Sequence, residues 1–217
     1  MDLNIPEKLF ILSVEVDRGR ISSNAQSTLP YGLAGAFLAE LALTHKIYLD
    51  DNRLGLANAT PTGDGLSDEI LSNIAAEEKH RRISHWVDVI ARKRTVRRVA
   101  ERLVERGVIR IEKKHFFWVI PYEIYPGVDA SAKFSVKRHL RAFVFAGELA
   151  VPQDIALLSL LKACGLLRFL FTRDERKLAS QKVGNLVAGE PFGQAVSALL
   201  AEIEAAAVVA AMAAASS

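Results

Sequence analysis

RKRTVRRVAERLVER, residues 92–106, decides how the rest of the chain is read. Seven of these fifteen residues are Lys or Arg. Val96, Val99, Ala100, Leu103 and Val104 nevertheless recur at the i, i+3, i+4, i+7, i+8 spacing of a helix packed on a core. Gly107 stands where a left-handed residue would end that helix, and Thr95 stands where a hydroxyl would cap its start. Arg98, Arg102 and Arg106 are then expected on the outer side. Beyond Gly107, VIRIEKKHFFWVIPYEIYPG carries β-branched and aromatic residues on both sides of EKKH, the pattern of a hairpin whose second strand is FFWVI. That strand is too apolar to face water, so the chain's own core, a second subunit or a membrane must cover it.

The charge is concentrated around this stretch. Residues 79–114 hold thirteen Lys or Arg against four acids, a local excess of +9 in a chain whose net charge is +3. So local an asymmetry points to an anionic partner for one face, whereas a merely solvated helix face is the plainer alternative.

Outward from the basic segment the chain reads as mainly helical. KLFILSVEV, after Pro6, is ambiguous between strand and helix. In LPYGLAGAFLAELALTHKI, Pro30 suits a first helical turn and Leu33, Phe37 and Leu41 share a face. Gly32, Gly35, Ala36 and Ala39 form a small-residue face that admits a close neighbour, and Glu40 is expected to bond nearby backbone. YLDDNRLGLANATPTGDG reads as a polar turn cluster, followed by a helix capped by Asp64 or Ser67. A short helix around ISHWVDVIA places Trp86 in the core. From Ser131 the helices are SAKFSVKRHLRAFVFAGE, PQDIALLSLLKACGLLRFLF, TRDERKLASQKVGNLVAG and PFGQAVSALLAEIEAAAVVAAMAAA, with Thr172 and Glu175 spaced as a capping box. The fold class expected is mainly α: a single compact helical-bundle domain over residues 1–217, with one β-hairpin.

Half of the residues are apolar, yet IALLSLLKACGLLRFLF is broken by charge and AAAVVAAMAAASS is too short for the roughly twenty apolar residues that span a bilayer. The start, MDLNIPEKLF, lacks the basic patch and apolar run of a secretory signal, and Cys164 has no second cysteine to pair with. A cytoplasmic setting is expected. The five histidines show no metal-ligand spacing, and Asp64, Asp68 and Glu69 have no nucleophilic or basic companion at motif spacing, so no enzyme, cofactor or metal is expected.

Three stretches taken together resemble the Golgi phosphoprotein 3 family: GLAGAFLAELALTHKIYLDD, PTGDGLSDEILSNI and RLVERGVIRIEKKHFF. They stand in the family's order, within a resemblance that runs from about residue 9 to residue 210. The alanine-rich tail and the lack of a long amino-terminal arm favour a bacterial member. The resemblance implies a helical bundle, a hairpin used in self-association, and a basic pocket for the headgroup of phosphatidylinositol 4-phosphate. It implies no catalysis. The family pocket is similar to a Trp and an Arg near the first small-residue helix plus two basic residues on the later basic helix. Here Ala25 and Ala34 stand at the first two places. The basic pair falls on Arg94 and Arg97, or on Lys93 and Val96 when matched backward from LVERG.

A phosphomonoester bears between one and two negative charges, and guanidinium groups meet it with paired, charge-assisted hydrogen bonds. Arg92, Lys93, Arg94, Arg97 and Arg98 are therefore the candidate anion-binding residues, and Phe116, Phe117 and Trp118 the candidate oligomerisation hairpin. The expected partners are an anionic phospholipid membrane surface, protein clients and further copies of the chain, with the protein cytoplasmic and peripheral to the membrane. The competing reading is a winged helix, with residues 98–119 as recognition helix and wing against nucleic-acid phosphates. The PTGD element and the long helical carboxyl half argue against it.

Overall fold

The computed structural model describes residues 2–116, 119–128, 130–146, 151–188 and four pairs between 201 and 213. Its centre is α3 (Leu29–Leu43), a helix buried on almost every side. That follows from a sequence that is apolar all round instead of along one stripe. Packed against it are α1 (Ile5–Ser13), α5 (Ile83–Arg92), α6 (Thr95–Glu105) and α8 (Pro152–Ala163), with α4 (Gly65–Ala76) at one end. Pro30 lies in the first turn of α3. At Gly32, an added Cβ would sit 2.4 Å from the Cys164 sulfur, so the absence of a side chain is what lets α8 come this close. Burial pushes the Cys164 thiol up to about 12, and it donates a weak hydrogen bond to the Thr28 carbonyl.

The ambiguous first segment is helical. Asn4 and Glu7 form a reciprocal capping box and Pro6 occupies the first turn. Glu40 accepts the Ile5 N–H at 3.0 Å, tying α3 to the start of α1, and burial raises its pKa against that hydrogen bond. A one-turn α2 (Ser23–Gln26) leads into α3.

The chain has a hairpin where one was expected, and also a second one. Ile47–Asp50 (β1) and Arg53–Leu56 (β2) pair antiparallel across Asp51 and Asn52, both with positive φ. Two consecutive left-handed residues suit the twist of a tight two-residue hairpin, and Asp and Asn tolerate that conformation. The segment is therefore a hairpin and not just a turn cluster. The other hairpin joins Glu112–Phe116 (β3) to Ile120–Ile124 (β4), in the register Glu112↔Ile124 to Phe116↔Ile120. EKKH thus lies within the first strand, which runs on to Phe116 before β4 begins at Ile120. EKKH holds no Gly, Pro or Asn to make a turn, and its Lys113, Lys114 and His115 lie exposed along the ribbon.

The carboxyl half contains α7 (Ala130–Phe145), α8 and α9 (Arg173–Ala188). Thr172 and Glu175 form the expected capping box before α9. The helix expected from Pro191 begins outside the described residues. Among the described residues, no helix is long and apolar enough to cross a membrane.

Candidate anion-binding face

The amino-terminal end of α6 gathers the basic residues, but in two different states. Arg92 ends α5 and Arg94 precedes α6; both are exposed, and neither has an ion pair among the described residues. Arg94 sits at φ 55°, in the left-handed region that costs a residue with a Cβ about 1–2 kcal/mol. Thr95 does not cap the helix. It is buried and its hydroxyl donates back to the Ile90 carbonyl, so the turn between α5 and α6 uses it internally.

The other three candidates are engaged by the protein's own acids. Lys93 lies 3.4 Å from Glu69 on α4, and Arg98 bonds the other oxygen of the same carboxylate. The Arg98 contact, more than the Lys93 one, holds Glu69 below the usual carboxylate range. Arg97 is bonded to Glu101 at 2.7 Å and also to Glu123 on β4, and both raise its pKa. The Arg97–Glu123 contact fastens the second hairpin to the start of the basic helix. Lys113 is the cross-strand partner of Glu123, so their side chains share one side of the ribbon.

Arg98, Arg102 and Arg106 were expected on the outer side of α6. They turn toward α1 and α4. Arg102 contacts Asp64, and its Nε lies 3.0 Å from Glu7 Oε1, outside hydrogen-bonding geometry. Arg106 bonds the second Glu7 oxygen at 2.5 Å. Glu7 is 1% exposed, and a carboxylate so buried requires cationic partners. Asp64 receives Leu66 N–H and the Ser67 hydroxyl as well as the Asn4 amide. Burial alone would raise its pKa, but Arg102 and these donors hold it below the ordinary range. The outward residues of α6 are Glu101, Val104 and Glu105.

Ala25 and Ala34 are fully buried, so neither offers a side chain to a ligand at the surface. Val96 is half-buried and packs against the core. Phe116 ends β3, while Phe117 and Trp118 lie outside the described residues. Val119 beside them is 79% exposed. The acids Glu7, Glu69 and Glu123 were missed as members of this cluster; their only sequence signal was opposite charge far along the chain. Among the described residues, no group of His, Cys, Asp and Glu is arranged to hold a metal ion.

A model of the Golgi phosphoprotein 3 family matches residues 5–203. The vacuolar protein sorting-associated protein 74 of Eremothecium gossypii is 27% identical over 178 residues, covering 71% of this chain and 51% of that protein. Its counterpart in Schizosaccharomyces pombe is 29% identical over 161 residues, covering 64% and 47%. The chain spans about half the length of these relatives. With the family model covering nearly the whole sequence, from the first residue of α1 onward, the chain belongs to the Golgi phosphoprotein 3 family.

Proposed function

We propose that the protein is a non-catalytic peripheral membrane adaptor that docks on anionic phospholipid headgroups through the α5–α6 junction and the adjoining β3–β4 hairpin. The observation that carries this reading is the sorting of the basic residues. Arg97, Arg98 and Lys93 are tied to Glu123, Glu101 and Glu69 and shape the face. Arg92 and Arg94 stand exposed without an ion pair among the described residues, and Lys113 is exposed on the hairpin that Glu123 fastens to Arg97.

Exposed cations near an anionic membrane surface contribute about 1 kcal/mol each, an attraction that salt screens. Val119 offers an apolar group at the hairpin turn that can enter the interface beside those charges. Membership of the Golgi phosphoprotein 3 family supports phosphatidylinositol 4-phosphate as the first headgroup to test. With Ala25 and Ala34 buried, neither can contact a headgroup, which leaves the α5–α6 junction and the β3–β4 hairpin to hold it. Protein clients and self-association through the hairpin complete the adaptor reading. Light scattering on Phe117→Asp and Trp118→Asp variants tests the latter, and a wild-type protein that stays monomeric at high concentration would refute it.

Nucleic-acid binding is the weaker reading. A recognition helix must point its bases-reading cations outward, whereas α6 points Glu101 and Glu105 to solvent and spends Arg98, Arg102 and Arg106 on internal acids. Vesicle flotation of the wild type and of a protein changed at Arg92 and Arg94 decides the main proposal.

A further inference from the structure

A cavity of about 330 Å³ opens beside the carboxyl-terminal end of α1, built from residues outside the α5–α6 junction. That volume is at the lower end of the range that holds small molecules. Its walls are Ile11, Val14, Val108, Ile109 and Tyr125, with Phe134 and Val16 exposed at the rim. Two lysines one helical turn apart on α7, Lys133 and Lys137, also line this cavity.

The two lysines are not equivalent. Lys133 donates to the carbonyl of Val14, the residue that caps the end of α1, so it has a structural task. Lys137 has no hydrogen bond or ion pair among the described residues. Burial lowers the Lys133 pKa to about 8, with Lys137 adding to the effect and Glu15 opposing it. Lys137 is lowered as well, by burial and then by Arg141. Like charges at i, i+4 repel, and cations held against apolar walls lose hydration. Glu15 is the one carboxylate lining the cavity among the described residues, leaving an excess of one positive charge.

We propose that this cavity binds an amphipathic monoanion, an alkyl chain ending in a carboxylate. The chain lies against the branched aliphatic walls, and the carboxylate meets Lys137 with Lys133 behind it. An anion there removes the repulsion between the lysines and restores the solvation they give up. The walls are mostly aliphatic, and Tyr125 already packs edge-to-face on Phe10 at 5.3 Å, which favours a chain over a stacked ring. None of these residues belongs to the membrane-docking face, so the two readings stand or fall separately.

Calorimetric titration of the full chain with decanoate, decanol, acetate and decyl phosphate tests the site. Decanoate is expected to bind once per chain, at least tenfold more tightly than decanol or acetate. Lys137→Met keeps the apolar stem, and is expected to weaken decanoate at least tenfold while leaving the thermal midpoint unchanged. Val16→Trp alters only an exposed rim residue and is expected to weaken binding by narrowing the mouth. The proposal is overturned if wild type shows no saturable binding of decanoate, if decanol binds equally well, or if both variants keep full affinity. Tighter binding of decyl phosphate than of decanoate would overturn the carboxylate assignment and point to a single-chain phospholipid.

Discussion

Arg102 of α6 and Asp64 at the cap of α4 meet guanidinium to carboxylate, and the same Arg102 lies against the buried Glu7 of α1. One arginine thus joins three helices separated in sequence by up to 95 residues. The PTGD stretch is specific because Asp64 does two things at once: it caps α4 and it compensates the charge of Arg102.

Replacing Asp64 by Ala should therefore cost more than a cap alone. Loss of the cap costs about 1 kcal/mol, and breaking one side of a partly buried ion pair adds to it, for a total of about 2–4 kcal/mol. Asp68→Ala removes exposed hydrogen bonds, chiefly the two from Thr62, and should cost about 1 kcal/mol. Urea denaturation of both variants checks the contrast, and equal losses would show that Asp64 acts only as a cap.

Acid should destabilise the protein in part through Glu175. Arg141 holds this carboxylate in a bidentate pair, with Thr172 N–H assisting, and its pKa falls from 4.5 to about 2. A carboxylate lowered in the folded state stabilises it above the ordinary pKa, and that contribution disappears as pH falls through the folded value. Between about pH 4.5 and 2, stability should therefore drop. Glu175→Gln should show a shallower drop over that window, with Asp64, Asp68, Glu69 and Glu77 contributing to what remains. An unchanged slope in chemical denaturation measured across these pH values would contradict the assignment.

Gly32→Ala should be destabilising because its new methyl group meets the Cys164 sulfur. Overpacking of this kind costs about 1–3 kcal/mol. Adding Cys164→Ala should recover part of that loss, a non-additive result that a double-mutant cycle detects. Strict additivity would mean that α3 and α8 are not limited by this contact.

Much of this architecture could be read locally. The apolar stripe of Val99, Ala100 and Leu103 is buried as its spacing requires, and Gly107 takes the left-handed cap at φ 69°. The Thr172–Glu175 box and the Asp64 cap also needed only neighbours in sequence. Two further local signals were present but unread: Asn4 three residues before Glu7, which makes KLFILS a helix, and Asp51–Asn52 between two short apolar runs, which makes a hairpin. What periodicity does not contain is the direction of each arginine. Arg106 turns inward because Glu7, 99 residues away, is buried beside it, and Arg97 is drawn to Glu123 on the hairpin. Only the folded chain brings those charges together, so local spacing alone puts Arg98, Arg102 and Arg106 on the outer side.

Arg94 separates stability from binding at the docking face. Its backbone is left-handed, so Arg94→Gly relieves strain in the folded state while adding freedom to the unfolded one, and stability should change by less than about 1 kcal/mol. The lost charge should weaken vesicle binding by about 1 kcal/mol, roughly fivefold. A loss of stability well above 1 kcal/mol in thermal unfolding would show that the arginine side chain serves the fold.

Flotation on vesicles containing phosphatidylinositol 4-phosphate, comparing wild type with Arg92→Glu/Arg94→Glu, tests the membrane reading most directly. The account predicts that wild type floats with these vesicles at low salt and less so at high salt, and that the folded double variant stays at the bottom of the gradient. A double variant that floats as well as wild type would contradict it.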